Sequence, residues 1–591
     1  MLSLVDVTSN IIDREAFASC TNDYTRIKQL LSSSDFVSHL QKSLPLLLDE
    51  RTTDSKCIKT SNEYREKGNA AYASHNDQLA LLLYNQAIRY APPYSRELSL
   101  ALGNRSAVLS NLKHYQLALQ DVHHALDFLS SNEEDDTRRQ RLEQRLYQCL
   151  KHQSEEAESN RDKHTQLENE LTELKSNQTY NANYSSLTSH ADIKYASDRG
   201  RHVVSSNVSS TLKPGTIILV EQAYASVLLP SAWSTHCHTC LRRLHLLLFV
   251  CSQCTRAVYC SSECLQRSIV WHAFECRLTI DRLDKMQFLA LRLLTKTGWQ
   301  YLLKHKLQFE DYLKQDQPVN NGLHSYNQEQ EVYEWNDYEN ILKLETNSHR
   351  RSVDDLLHRA VQACLIGISL INNTSFAQQA YENLDYQVYI CSLLLSHLQS
   401  LPCNAHEISE FIHHRAAPLS SSCIEIGAGI YATLSLFNHS CNPNVIRNFI
   451  GDTVVVRLLA SISSNNVELT DNYGCLSATM EKVERQKKLH EQYRFQCQCQ
   501  PCVDQWPNYD QLPEGLGDGM TPSKEFDEAF QRLVQGESPT RDDLSVYEDF
   551  IDQCDQQWQD KKKIKGKVYN NAQEAYKQCL NFFYHSFHSE D

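Results

Sequence analysis

Between residues 60 and 150, small and large apolar residues recur among polar ones at helical spacing, and the pattern repeats. Arg65-Glu-Lys-Gly-Asn69-Ala-Ala-Tyr72, with Ala80 through Tyr84-Asn-Gln-Ala87-Ile88, predicts one helix pair. Asn104-Arg105-Ser106-Ala107-Val-Leu and Tyr115-Gln-Leu-Ala118-Leu-Gln-Asp-Val predict the next. Matching positions lie about 35 residues apart, with small residues where helices must approach closely. A third, degenerate repeat is expected from Arg138 to about Asn160. From Gln153 to Asn177 the chain is charged and no heptad persists, which predicts a solvated helix or linker. Residues 190 to 230 turn to Val/Ile-rich, strand-like patches around Pro214-Gly215. Residues 278 to 400 return to helix, broken by a polar stretch from Gln315 to Tyr338. Beyond Pro507 the apolar residues Val546, Phe550, Trp558, Tyr569, Tyr576 and Phe582 are spaced as a helical core.

One block departs from this patterning because its buried-type residues are metal ligands. Cys237-x2-Cys240, Cys251-x2-Cys254, Cys260-x3-Cys264 and His272-x3-Cys276 place eight ligands in pairs. A tetrahedral zinc takes four thiolate or imidazole ligands, and these short spacings supply two from one turn. Eight ligands therefore predict two closed structural sites, interleaved so that the first and third pairs share one ion and the second and fourth the other. No position is left for a catalytic water.

Composition narrows the function class. The chain has 591 residues and a formal net charge of -15, long enough for several domains and too acidic for wholesale phosphate binding. No apolar run is long enough to span a bilayer, Leu246 to Val250 being typical, and the first residues lack the order of a signal peptide. Of 21 cysteines, eleven fall in metal-type groups and the rest are scattered, which predicts a reducing compartment, cytoplasmic or nuclear. Arg242, Arg243, Arg256 and Arg267 lie in the zinc block, but without the helix-borne base-reading pattern of DNA-binding fingers; nucleic acid and membrane partners are not expected.

A second polar constellation interrupts an apolar segment: Leu436-Phe-Asn438-His439-Ser440-Cys441-Asn442-Pro443-Asn444. Farther on come Leu469-Thr-Asp-Asn-Tyr473-Gly474 and Tyr493-Arg-Phe495-Gln-Cys497-Gln-Cys499-Gln-Pro-Cys502. The trio Cys497, Cys499 and Cys502 leaves a tetrahedral zinc one ligand short, and Cys441 is the natural fourth. That closure folds the cysteine tail back over the Asn-His segment and brings the expected zinc count to three.

The finger's ligand order, with Tyr259-Cys260 and Trp271-His272, resembles a MYND finger, a protein-interaction module. Residues 61 to 127 resemble TPR repeats. The Asn-His-Ser-Cys segment, the tyrosine before Gly474 and the cysteine tail resemble a SET domain. Together the chain resembles the SET-and-MYND (SMYD) protein-lysine methyltransferase family, and within it the kind that carries N-terminal TPRs. The implied fold is a multidomain α+β chain with N-terminal α-helical TPR repeats. A β-rich SET domain follows, split by the zinc-binding finger and a helical insertion, then a post-SET zinc site and an α-helical C-terminal region. The boundaries expected are 1–150 for the TPR domain, 151–189 for the linker and 190–236 for the first part of the SET domain. The finger takes 237–276, the insertion 277–400, the SET core 401–495, the post-SET motif 496–510 and the C-terminal region 511–591.

The resemblance implies S-adenosylmethionine as methyl donor and a protein lysine as acceptor. It implies that Asn438 and His439 hold the cofactor chiefly through the backbone, that Phe495 lies against the adenine and that Gly200, Arg201 and His202 approach its methionine end. Tyr473 would stand where methyl and amine meet, and Tyr493 would line the lysine channel. Three departures stand out. The family's Gly-x-Gly loop reads Arg199-Gly200-Arg201-His202, its Gly-Glu-Glu reads Asn466-Val467-Glu468, and a Cys-Asn step expected upstream falls near His413-His414. A catalytically weak adaptor that works through its TPR and finger is the alternative. By resemblance to TPR carboxylate clamps, Arg65, Asn69, Asn104, Arg141 and Arg145 would converge on an acidic chaperone tail; otherwise they are repeat-consensus residues and a solvated face.

Overall fold

A computed structural model describes residues 11–44, 55–129, 133–152, 163–244, 248–315, 332–414, 422–515, 521–557 and 565–589. Most of the polar stretch between Gln315 and Tyr338 lies outside the described residues, as do residues 153–162, Leu246 and Trp558. The chain divides into two compact units, residues 49–172 with 230–277 and residues 1–48 with 173–229 and 278–591. Among the described residues no helix is long and apolar enough to cross a membrane.

In the smaller unit, Ile58–Ala73 packs on Asp77–Tyr90, and Arg96–Asn111 packs on Tyr115–Asp127, with Glu133–His152 closing the array. Asn76 and Ser95 cap their helices by accepting the Leu79 and Leu98 amides. At Gly68 a β-carbon would stand 2.6 Å from the Tyr84 ring, so this helix pair approaches more closely than any side chain allows. The structural repeat differs from the expected one: the second pair begins thirty-eight residues after the first, Ile58 to Arg96 and Asp77 to Tyr115. Ser61 donates to the Ala87 carbonyl at 2.8 Å, and Ser99 makes the equivalent bond to Ala125 at 2.7 Å. The longer repeat reflects the loop around Pro92-Pro93, which the matching of small residues did not register. The finger joins this unit. Its hairpin, Phe249–Val250 paired with Val258–Tyr259, sets Phe249 and Val250 against the helical core, and Arg105 donates to the Leu248 carbonyl at 3.0 Å.

The larger unit holds the sheets. Strands β1 (Ala191–Ala196) and β2 (Gly200–Ser205) form an antiparallel hairpin. Strand β3 (Ile217–Gln222) is separated in sequence from β4 (Ala225–Leu228) by two residues, and after a long helical insertion come β5 (His406–His414), β6 (Ser422–Ile430), β7 (Val445–Ile450) and β8 (Thr453–Leu458). The order β3-β8-β7 makes one sheet and β4-β6-β5 the body of another. Every residue of β8 is buried and lies between two partners, as expected for a central strand of valines. In the insertion, Val353–Asn373 packs on Leu384–Asn404.

The N-terminal helices belong here and not with the repeats, contrary to the expected 1–150 boundary. Tyr24 donates to Asp385 at 2.9 Å, Gln399 donates to Asp23 at 2.9 Å, and Ile27 and Leu30 are buried. C-terminal helices Lys524–Val534, Arg541–Gln557 and Lys567–His585 share a core with Leu459 and Ile446 of the sheet region. The helical core expected of that segment is thus shared with the sheets of this unit.

Candidate active site and metal centres

Three ligand groups converge: Cys237, Cys240, Cys260 and Cys264; Cys251, Cys254, His272 and Cys276; and Cys441, Cys497, Cys499 and Cys502. Zinc–sulfur bonds of about 2.3 Å in a tetrahedron require sulfur–sulfur edges of about 3.8 Å. The observed Cys240–Cys260, Cys260–Cys264, Cys251–Cys276 and Cys441–Cys502 separations are 3.5, 3.6, 3.9 and 3.6 Å. The donor sets fit zinc, and the pairing is the interleaved one expected. Local geometry prepares the ligands: Ser261 caps the helix Ser262–Glu275 by accepting the Cys264 amide, and the same helix carries His272 with Cys276 one turn on at its C-cap.

The Asn-His segment is built outward from Cys441. Asp471 donates its amide to the Asn438 carbonyl, and Ser440 donates to the Asp471 carbonyl, both at 2.9 Å, so the segment around His439 pairs in parallel with the stretch before Tyr473. The His439 ring fixes the pairing. The Tyr473 amide, which can only donate, meets His439 Nδ1 at 3.1 Å. Nδ1 is therefore the bare nitrogen, and Nε2 carries the proton toward Cys441 Sγ at 3.3 Å. Burial pulls the imidazole down to about 4, so the ring is neutral at physiological pH. His439 thus connects the Tyr473 backbone to a metal ligand.

Tyr473 donates its hydroxyl to the Phe437 carbonyl at 2.6 Å and packs 4.7 Å from the Tyr493 ring. Burial and the neighbouring Asp471 charge push its phenol above the ordinary range, and burial pushes that of Tyr493 up to about 12. Both stay neutral. Phe495 meets the His439 ring edge-on at 6.2 Å. These four rings and the Asn-His backbone are brought together.

The β1–β2 turn joins them through Glu468. That carboxylate accepts from Asn438 Nδ2 at 2.9 Å and from Arg199 at 2.9 Å, while Asn438 also reaches the Arg199 carbonyl at 3.3 Å. Glu468 is what remains of the acidic motif, and it ties the turn to the Asn-His segment. Arg201 donates to the Lys343 carbonyl at 3.2 Å. His202, where a glycine was expected, is buried, and its Nδ1 lies 3.0 Å from the Gly200 carbonyl. Gly200 (φ +69°) and Gly474 (φ +85°) adopt left-handed backbone and have open space where a β-carbon would stand, the kind of cradle a cofactor needs.

Two features escaped the sequence reading. The side chains of His413-His414, where the Cys-Asn step was expected, lie outside the described residues. The geometry points instead to Cys403-Asn404, at the end of the helix Leu384–Asn404. Cys403 Sγ lies 3.5 Å from Asn347 Nδ2, and Asn347 also approaches the Tyr493 carbonyl at 3.4 Å. The dipeptide itself, just ahead of a strand, was the available signal. Arg485 of the helix Lys482–Tyr493 reaches Cys502, and nothing in the charge pattern distinguished it from neighbouring solvated residues.

In the smaller unit Asn104 donates to Asn69 at 2.8 Å, and Asn69 also accepts from Tyr84 at 2.9 Å. Arg145 directs its guanidinium to Gly103 and Ser106, Arg65 turns to Asn62, and Arg141 is exposed. The two asparagines meet; among the described residues no hydrogen bond joins the three arginines to them.

The MYND finger family model matches residues 237–276. Over 523 residues the chain is 27% identical to the protein-lysine N-methyltransferase SMYD4 of Danio rerio, covering 77% of this chain and 67% of that one. The Homo sapiens SMYD4 protein is 25% identical, with 74% and 66% covered, and the histone-lysine N-methyltransferase SMYD3 of Mus musculus is 25% identical over 51% of this chain and 59% of its own. The chain spans about two thirds of the length of the SMYD4 relatives it matches. With the finger matched, the relatives aligned across most of the chain and the Asn-His segment tied to a four-cysteine centre, this chain is similar over most of its length to the SET-and-MYND methyltransferases.

Proposed function

We propose that the chain is a protein-lysine N-methyltransferase that uses S-adenosylmethionine. The observation that supports this most is the convergence of Asn438-His439, Tyr473, Tyr493 and Phe495 around one closed cysteine centre. Gly200, Arg201, Asn438, His439 and Phe495 would hold the cofactor, which supplies an electrophilic methyl on sulfur. Arg201 and the Arg199–Glu468–Asn438 link hold the β1–β2 turn against the Asn-His backbone. Tyr473 and Tyr493 form an aromatic wall that excludes water from a lysine amine and aligns it. Neither phenol serves as base at neutral pH, because both stay protonated and the Tyr473 hydroxyl is committed to the Phe437 carbonyl. The lysine therefore releases its proton to solvent before transfer.

The finger fits a protein-binding role. The Asn69–Asn104 contact is compatible with a TPR groove that receives an acidic chaperone tail, with Arg65, Arg141 and Arg145 swinging onto the carboxylate. Equal affinity for a peptide ending in carboxylate and for its amide would exclude that groove. The grouping of eleven cysteines into metal-type clusters suits a reducing compartment, cytosol or nucleus.

Calorimetry on zinc-loaded protein tests the central reading. Saturable S-adenosylmethionine binding that Asn438→Ala weakens at least ten-fold supports it. Absence of binding in folded, zinc-replete protein would transfer the function to the adaptor reading.

A further inference from the structure

Among the described residues Arg485 is the largest of the fully buried side chains, with no measurable exposure, and no carboxylate among them forms an ion pair with it. An arginine taken out of water without a counter-charge costs several kcal/mol, so a compensating anion is required. Its surroundings supply one kind only. Nη2 lies 3.7 Å from Cys502 Sγ, Nη1 donates to the Met480 carbonyl, and Nε has no hydrogen-bond partner among the described residues. A zinc ion with four thiolates carries a net charge of minus two. Among the described residues, the guanidinium therefore sits against the group whose charge, with zinc bound, would offset its burial.

The helix that carries Arg485 connects this pair to the proposed channel. Along Lys482–Tyr493, Arg485, Leu489 and Tyr493 recur at four-residue spacing on one face. Leu489 is fully buried in the cluster of Cys441, Cys475, Cys497 and Cys502, with Tyr473, Tyr493 and Phe495 packed against it. One residue after Arg485, Gln486 closes a double hydrogen bond with the Cys497 backbone, at 2.8 and 2.9 Å. The helix is held to the metal centre at one end and delivers Tyr493 at the other.

We propose that Arg485 is a positioning residue that hydrogen-bonds the thiolates of the post-SET zinc, making occupancy of that one site the determinant of where Tyr493 and Phe495 stand. The second half of this proposal rests on reading Tyr473 and Tyr493 as the lysine channel; the first half does not. Hydrogen bonds to metal-bound ligands commonly alter metal affinity about 10- to 100-fold when removed.

The full chain carrying Arg485→Met or Arg485→Lys tests this through zinc release to a chelator and through S-adenosylmethionine calorimetry. The expected result for Arg485→Met is release of one zinc of the three at least ten-fold faster, with the other two unchanged and cofactor affinity reduced; Arg485→Lys falls between. In the cobalt-substituted chain the thiolate-to-cobalt charge-transfer bands shift to lower energy in Arg485→Met, a change that loosened packing alone does not produce. Wild-type release from all three sites in both variants overturns the proposal. If Arg485→Met does not fold, Arg485→Lys decides by the same release rate. If wild-type protein binds no cofactor, the methyltransferase reading fails while the zinc measurement still decides the role of Arg485.

Discussion

The finger and the post-SET centre use the same chemistry at opposite ends of the scale of sequence separation. All eight finger ligands lie within residues 237–276, each pair spanning about one turn, so zinc can organise them before anything else folds. The post-SET centre takes three ligands from Cys497–Cys502 and the fourth, Cys441, from the far side of Tyr473 and the helix Lys482–Tyr493. Closing that loop costs more entropy, which is offset when the Asn-His segment and its pairing with the stretch before Tyr473 are in place. A local zinc site stabilises its own module. A distant one reports on the state of the site it encloses.

This comparison is most exposed to ligand substitution. Cys441→Ser is expected to remove one zinc per chain and to abolish S-adenosylmethionine binding, whereas Cys264→Ser removes a zinc from the finger and leaves cofactor affinity within about two-fold. Metal analysis beside calorimetry checks both, and equal effects of the two changes on cofactor binding would erase the distinction. Tyr473→Phe probes the site that the distant centre encloses. With the Phe437 bond lost, methyl transfer is expected to fall about 10- to 100-fold while cofactor affinity barely moves; unchanged turnover removes Tyr473 from the reaction.

The smallest effect concerns Glu221 of β3. Its two oxygens accept the Thr433 and Leu434 amides at 2.9 and 2.8 Å and so hold the turn that leads into Asn438. Burial nevertheless raises its carboxyl to about 8. A folded-state value above the unfolded one means the proton is bound more tightly in the folded protein. That contribution to stability is full below about pH 4.5 and is lost as pH rises through 8. Melting of the larger unit should therefore decline across this window in wild type, and the slope should flatten in Glu221→Gln whatever that variant's baseline. Parallel slopes would show that Glu221 does not titrate there.

Most of the chemistry was legible because it is written in spacing. The finger's pairs and the CxCxxC tail declare their metal without reference to a fold, and Asn438-His439 and Tyr473 stand out as polar or aromatic residues in apolar surroundings. What was not legible depends on contacts between distant residues. Spacing suggested a repeat of about 35 residues, but the helices return after thirty-eight, as the Ser61 and Ser99 bonds show. The first helices read as part of the repeat array, yet Tyr24 and Asp23 bond to the helix Leu384–Asn404. The acidic motif departs from the family's Gly-Glu-Glu, and its remaining carboxylate, Glu468, bridges Arg199 and Asn438.

The sequence alone determined the ligand sets, and its resemblance to a methyltransferase family singled out Asn438, His439, Tyr473, Tyr493 and Phe495, which lie together. A metal ligand or a helix face is specified by residue type and local spacing, which the chain states directly. Only the tertiary structure decided that His439 spends its ring on Tyr473 and Cys441, that the first helices join the larger unit and that Arg485 lies buried against a thiolate centre. Those outcomes follow from burial and charge compensation among groups far apart in sequence, and such compensation exists only once the chain has closed on itself.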